Sequence, residues 1–214
     1  MIKYILFDLD GTLTDPQEGI TKCVQYALRH FGIERKAEDL TCFIGPPLKE
    51  MFMQYASLSE EDGAKAVEIY MERFAPIGIF ENRIYEGVLD MLSQLKKQGK
   101  ILALATSKPA VFAERIAQKY GISPYLTYLS GSELDGRNTD KALVIKNAME
   151  ALGAECENTI MVGDRRHDCE GSAKCNIKCI GVSYGYAAEG ELEESGAIKI
   201  ANTPNELLQI LSKM

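Results

Sequence analysis

IKYILFDLDGTLT, residues 2–14, is an apolar run that ends in a turn carrying two carboxylates, Asp8 and Asp10. Ile2, Ile5, Leu6 and Phe7 are strand formers with almost no polar interruption, the pattern of a strand buried on both faces. Gly11 permits a tight turn, and Thr12 and Thr14 can hydrogen-bond back into it. Residues 8 and 10 of an extended segment point the same way, so both carboxylates are expected to converge at the strand's carboxyl end. Two like charges held that close are costly unless a cation or a shared proton relieves them. A lone Asp before a Gly turn would read as a cap. A pair, directly after an apolar run, asks for chemistry.

Working outward, Glu18 to Phe31 repeats apolar residues at a helical period and stops at Gly32. Gly45-Pro46-Pro47 breaks a second pattern, and Lys49 follows at the start of another helical stretch. Ser59 or a neighbour is expected to cap a further helix, with Glu60, Glu61 and Asp62 at its start. Nothing between residues 16 and 80 alternates as a strand does. From Glu86-Gly87 onward the pattern changes. Val88 to Lys97 is an amphipathic helix with Val88, Leu89, Leu92 and Leu95 as its buried stripe. Strands are expected at Lys100–Ala105, Leu126–Leu129, Thr159–Val162 and Lys178–Val182, with a weak edge strand at Ala197–Ile200. Helices fall between them, and Pro204–Leu211 closes the chain. Short apolar strands alternating with helices indicate an α/β fold, a parallel sheet covered on both sides. The expected division is an α/β core of residues 1–15 and 84–214, interrupted by an all-helical domain of residues 16–83.

The 214 residues can bury a substantial core, and 46% hydrophobic with 26% charged residues is an ordinary globular composition. A formal charge of -7 with no run of Lys and Arg argues against nucleic-acid binding. No apolar run is long enough to span a membrane, and Met1 leads straight into the core strand, so the expectation is a cytoplasmic protein, monomeric or weakly dimeric. The six cysteines, Cys23, Cys42, Cys156, Cys169, Cys175 and Cys179, include no CxxC pair. They read as small free thiols before they read as a thiolate metal site.

In a parallel sheet, the loops at the carboxyl ends of the strands collect at one edge, where sites form. Four polar clusters occupy such positions: Asp8 with Asp10; Thr106 with Ser107 and Lys108; Lys141; and Gly163-Asp164 with Asp168. Singly, Thr106 could cap a helix, Lys141 could be a surface lysine and Asp164 a turn residue. Together, each after an apolar strand or at the next helix start, they form a constellation.

FDLDGTLTD resembles the first motif of the haloacid dehalogenase-like hydrolase superfamily, LATSK its second, Lys141 in DGRNTDKALVI its third, and IMVGDRRHD its fourth. The resemblance spans essentially the whole chain. It implies a Rossmann-like three-layer sandwich with an inserted helical cap, as in the phosphoglycolate phosphatase and 5'-nucleotidase branch. It also implies roles. Asp8 would be the nucleophile and Asp10 the general acid/base. Thr106 would bind phosphate through its hydroxyl, Leu9 and Ser107 through their N–H groups, and Lys141 would balance charge. Mg²⁺ would be held by Asp8, Asp164 and the main-chain carbonyl of Asp10, with Asp168 beside them. The residue types suit phosphoryl transfer from a small-molecule phosphate ester, since a dication and an ammonium neutralise phosphate oxygens. Hard oxygen donors favour Mg²⁺ over zinc.

Dehalogenases of the superfamily usually lack the second carboxylate, so Asp10 points to phosphate chemistry. The expected activity is a phosphatase acting on a substrate such as phosphoglycolate or a nucleoside 5'-monophosphate. The alternatives are β-phosphoglucomutase-like transfer on a sugar phosphate and, behind it, phosphotyrosine hydrolysis. Lys108 and the cap residue Lys49 are the further candidates for substrate binding. Two departures from the family pattern stand out. Glu86-Gly87 replaces the Pro-Gly of many relatives at the return from the cap, and Arg165-Arg166-His167 adds positive charge between the fourth-motif acids.

Overall fold

The computed structural model describes residues 1–214. In chain order the elements are β1 (Tyr4–Phe7), β2 (Thr14–Asp15), α1 (Gln17–His30), α2 (Leu48–Ala56), α3 (Glu60–Phe74), β3 (Arg83–Ile84), α4 (Val88–Lys97), β4 (Ile101–Pro109), α5 (Ala110–Lys119), β5 (Leu126–Ser132), α6 (Lys141–Leu152), β6 (Thr159–Gly163), α7 (Arg166–Lys174), β7 (Lys178–Val182), α8 (Glu191–Glu194), β8 (Lys199–Ala201) and α9 (Pro204–Ser212). Short 3₁₀ segments at Ala37–Phe43, Gly78–Phe80, Ser123–Tyr125 and Cys156–Asn158 join them. Two compact units result, one of Met1–Thr14 with Ile84–Met214 and one of Asp15–Arg83. The chain passes between them through β2 and β3, which pair with each other.

The first unit is built on a six-stranded sheet in the order β5-β4-β1-β6-β7-β8. Every pairing in it is parallel. All four residues of β1 are buried because the strand lies mid-sheet with helices on both faces. Leu6 lies opposite Ala103 on one side and Met161 on the other, and Met161 lies opposite Cys179. That row of four faces Val144, Ile145 and Ala148 of α6 and Cys169 of α7 in one core cluster. Strand order runs outward from β1 through β4 to β5, then returns to β6 on the other flank of β1. The crevice beyond β1 is therefore the switch point at which such sheets place ligands.

Several elements differ from the sequence reading. β4 runs on through Thr106-Ser107-Lys108 to Pro109, and β5 extends to Ser132, because polar groups continue the pairing past the apolar runs. The Ser132 hydroxyl donates to the Ser107 carbonyl at 2.8 Å. In α4 the buried stripe is Val88, Met91, Leu92 and Leu95, and Leu89 is exposed. The helix begins at Val88, so i, i+3, i+4 and i+7 face inward and i+1 does not. The edge strand falls at Lys199–Ala201, two residues later than expected, and α8, with 4 residues, is too short to show a helical period. All six cysteines are free thiols.

The second unit is helical. Its core gathers Val24, Leu28, Leu40, Phe43, Phe52, Ile69, Tyr70 and Ile79. Phe43 packs against Phe52 and Tyr55 with ring centroids 5.1 and 5.4 Å apart. Ser59 caps α3 by accepting the Asp62 N–H at 3.1 Å. Arg73 grips Glu81 with two contacts of 2.7 and 3.0 Å, the bidentate geometry that guanidinium and carboxylate prefer. The start of α1 meets the Gly78–Phe80 turn without side chains between them. A Cβ on Gly19 would lie 2.1 Å from the Gly78 carbonyl oxygen and 2.8 Å from that of Glu81. Backbone cannot yield that much, so Gly19→Ala is expected to cost roughly 1–3 kcal/mol, the usual range for overpacking. Urea denaturation would read it; a variant as stable as wild type would show that this approach is looser than the geometry states. No helix in either unit is long and apolar enough to cross a membrane.

Candidate functional site

The site begins where β1 ends. The Asp8 N–H still donates to the Val162 carbonyl at 2.9 Å, extending the sheet by one rung. The chain then curls, and the Leu9 carbonyl accepts the N–H groups of Thr12, Leu13 and Thr14. Gly11 makes the curl possible in two ways. Its φ of 81° is left-handed, and a Cβ there would fall 2.1 Å from an Asp164 carboxylate oxygen. Thr12 bonds back into the turn through its N–H alone, and its side chain turns away. Its hydroxyl donates to Asp164 Oδ1 at 3.4 Å, so the turn is tied to the end of β6.

Ligand oxygens of Asp8, Asp164 and Asp168 all lie within 4.8 Å of one another. Asp164 follows Gly163 at the end of β6, and Asp168 sits in the first turn of α7, where its Oδ2 accepts the Arg165 N–H at 3.1 Å. Lys141, the first residue of α6, reaches in between. Its Nζ is 2.9 Å from Asp8 Oδ1, 2.9 Å from Asp168 Oδ1 and 3.2 Å from the Ala105 carbonyl oxygen. Asp10 is not in the three-acid cluster. Its Oδ2 pairs with Lys108 Nζ, and its buried Oδ1 has no hydrogen-bond partner. The two carboxylates of the first motif therefore leave the same strand end toward different cations.

Thr106 is buried in β4, and its hydroxyl oxygen accepts the Lys108 N–H at 3.3 Å. The Ser107 hydroxyl donates to the Thr139 carbonyl at 2.9 Å. Lys49 belongs to the helical unit, where its ammonium pairs with Glu60 at 2.8 Å on the surface. Leu9 is fully buried. His167, on the first turn of α7, has its pKa lowered by burial and by the neighbouring Arg165 and Arg166, which favours the neutral ring.

The electrostatics describe a site short of positive charge. Burial drives the Asp164 pKa well above the usual carboxylate value, and repulsion from Asp168 and Asp8 adds to it. Asp168 rises to about 6, chiefly through burial; Lys141 opposes the rise and Asp8 adds to it. Burial lifts Asp10 as well, against the pull of Lys108. Burial works against the charge of Lys141, yet Asp168 and Asp8 outweigh it and raise its pKa. One ammonium, paired with Asp8 and Asp168, thus stands among three clustered carboxylates. The uncompensated charge and the all-oxygen donor set fit a hard divalent cation. Cys169, next in sequence to Asp168, turns into the core between α6 and α7 and offers the site no thiolate.

Residues 184–191, which no sequence pattern singles out, also reach this site. The Tyr186 N–H donates to Asp164 Oδ2 at 2.8 Å, and Glu191 accepts the Arg166 N–H at 2.9 Å. Main-chain donors leave no mark in a sequence. A Gly between two tyrosines after a strand is the one visible sign.

This fold and site define an α/β enzyme of the class that works through carboxylates at the end of its central strand. Residues 5–182 match the haloacid dehalogenase-like hydrolase family, and the chain belongs to it. A 5'-nucleotidase of Pseudomonas aeruginosa is 46% identical over 189 residues, covering 88% of this chain and 86% of that protein. The tyrosine-protein kinase PtkA of Mycobacterium tuberculosis is 33% identical over 210 residues, covering 97% of this chain and 72% of its own. A crystal structure described as a predicted phosphatase from Clostridium acetobutylicum superposes with a TM-score of 0.95 at 42% identity, over 100% of both chains.

Proposed function

We propose that this protein is a Mg²⁺-dependent phosphatase that hydrolyses a small phosphate monoester through an aspartyl-phosphate on Asp8, with nucleoside 5'-monophosphates as the preferred class. The observation that carries the reading is the division of labour between the two first-motif carboxylates. Asp8 sits at Lys141 beside Asp164 and Asp168, while Asp10 stands apart on Lys108. A nucleophile needs its charge held and its rivals neutralised. A proton carrier needs a raised pKa, and burial supplies one to Asp10.

In this reading Asp8 attacks phosphorus and Asp10 protonates the departing ester oxygen. Asp10 then takes a proton from the water that hydrolyses the phosphoenzyme. Lys141 holds Asp8 in place and offsets charge as it grows on the phosphoryl group. The Thr106 hydroxyl and the N–H groups of Leu9 and Ser107 would receive phosphate oxygens, and Lys108 would orient Asp10 and meet the incoming anion. Asp8 and Asp164 would hold Mg²⁺ with the main-chain carbonyl of Asp10, and Asp168 would stand beside them. The cation supplies Lewis-acid neutralisation of the phosphate oxygens when bound.

The inserted helical unit serves as the cap, and Lys49 is its substrate-reaching residue, released from Glu60 when an anionic substrate is present. The 46% identity to a 5'-nucleotidase favours nucleotides over phosphoglycolate. Purified enzyme should give its highest kcat/KM with nucleoside 5'-monophosphates among a set containing phosphoglycolate, hexose phosphates and phosphotyrosine, and should lose turnover on exhaustive chelation. A preference for phosphotyrosyl protein, or turnover that survives chelation, would reject the reading. Lys49→Ala should raise KM for the nucleotide while sparing kcat; an unchanged KM would remove Lys49 from the site.

A further inference from the structure

We propose that the segment Tyr184–Glu191 is a clamp that presets the acidic cluster for its cation, with Gly185 and Glu191 as positioning residues. This inference rests on the reading of the cluster as a Mg²⁺ site. The segment leaves β7 and grips the site at both of its edges. At the first edge, the Tyr184 hydroxyl donates to the Thr12 carbonyl at 3.1 Å, and its ring packs edge-on against Tyr85 with centroids 4.9 Å apart. The next residue lies flat against the two loops that carry Asp8 and Asp164. A Cβ on Gly185 would lie 2.4 Å from Asp164 Cβ, 2.5 Å from its Oδ2 and 2.5 Å from the Gly11 carbonyl oxygen. The Tyr186 N–H then donates to that same Asp164 Oδ2. Asp164 is therefore boxed between Thr12 on one oxygen and Tyr186 on the other, with no room to swing.

At the second edge Glu191 holds the entry to α7. Its Oε1 accepts Arg165 Nε at 2.9 Å and the Arg166 N–H at 2.9 Å, and its Oε2 accepts the Ala188 N–H at 3.0 Å. Arg165 in turn donates its own N–H to Asp168. One half-buried carboxylate thus fixes the backbone on which the third acid of the cluster is hung, and bonds the clamp to itself at Ala188. Three like-charged groups converge on the cluster and repel one another. Without an external brace they would relax apart, and a cation would have to regather them on binding. Such braces around metal ligands are worth about 10–100-fold in metal affinity when removed.

The test is calorimetric titration of Mg²⁺ into wild type, Glu191→Ala, Glu191→Gln and Gly185→Ala, with thermal denaturation of each. Glu191→Ala should raise the Mg²⁺ Kd about 10-fold or more, with kcat at saturating Mg²⁺ close to wild type. Glu191→Gln, which keeps one acceptor oxygen for Arg165 and Arg166 but sets an amide NH2 against the Ala188 N–H, should recover part of that affinity. Gly185→Ala should bind more weakly still, because Asp164 must move. Glu191→Ala keeps the proposal testable should Gly185→Ala fail to fold. A merely structural role predicts a lowered Tm with an unchanged Kd, and that result would overturn the clamp. No Mg²⁺ binding by folded wild type would overturn the cation reading itself and the clamp with it.

Discussion

Asp8→Asn should abolish turnover while leaving a folded protein, with kcat/KM reduced by about four orders of magnitude or more, the scale seen when a covalent nucleophile is lost. The amide keeps the shape of the carboxylate and can still accept a bond from Lys141, but it has no anionic oxygen to attack phosphorus. Stability should change little. The variant gives up attraction to Lys141 at 2.9 Å, yet it relieves the repulsion that Asp8 exerts on Asp10, Asp164 and Asp168. The two effects oppose each other, so the net shift is expected within about 1 kcal/mol. Acid-quench trapping with labelled substrate should recover phosphoenzyme from wild type and none from the variant. Wild-type turnover by Asp8→Asn would refute Asp8 as nucleophile. Asp10→Asn makes a useful contrast, since phosphoenzyme should still form from an activated ester but should persist.

The strand ends are legible in the sequence because a buried parallel strand leaves an unbroken apolar run, and the residues directly after such a run face the site in this fold class. Asp8 and Asp164 stand directly after β1 and β6, and Thr106 stands directly after the apolar part of β4. Lys141 is legible only with its neighbours, because a lysine at a helix start looks the same whether buried or exposed. The length of β4 is hidden, because Thr106, Ser107 and Lys108 are held in the strand by hydrogen bonds that hydrophobic pattern does not register. The pairing of Asp10 with Lys108 is hidden too. Alternation along an extended segment puts Asp8 and Asp10 together, but β1 ends at Phe7 and the curl at Gly11 separates their partners. The clamp of residues 184–191 works through N–H groups and the absence of a Cβ, which no residue-type pattern announces. In the helical unit, periodicity finds the helices, but the backbone approach of Gly19 to Gly78 leaves no periodic mark.

Lys141→Met should be as damaging as loss of the nucleophile, for a different reason, and its signature is a pH-dependent loss of stability. Met matches the length of the lysine stem, so the cavity term is small. Room is scarce around that stem, since a Cβ on Gly171 would lie 2.8 Å from Lys141 Cγ. The same crowding predicts that Lys141→Arg will not rescue, because a planar guanidinium needs width that an ammonium does not. The variant loses the one ammonium serving Asp8 and Asp168, and removing one partner of a buried ion pair costs about 3–5 kcal/mol. The sign is set by the carboxylates left behind. Asp168 already has a folded pKa of about 6 with Lys141 present. Without that ammonium it rises further above the unfolded value of about 3.9. A carboxyl whose folded pKa is raised binds its proton more tightly in the native state, so its stabilising share is whole below the unfolded pKa and is lost as pH climbs through the folded one. The gap between wild type and Lys141→Met should therefore be narrow near pH 4–5 and reach its full size by about pH 8. Added Mg²⁺ should close part of it by supplying the missing positive charge. Urea denaturation across that pH range, with and without Mg²⁺, reads all three effects. A gap that stays constant with pH would mean that Lys141 contributes through packing alone and that the acidic cluster does not need its charge.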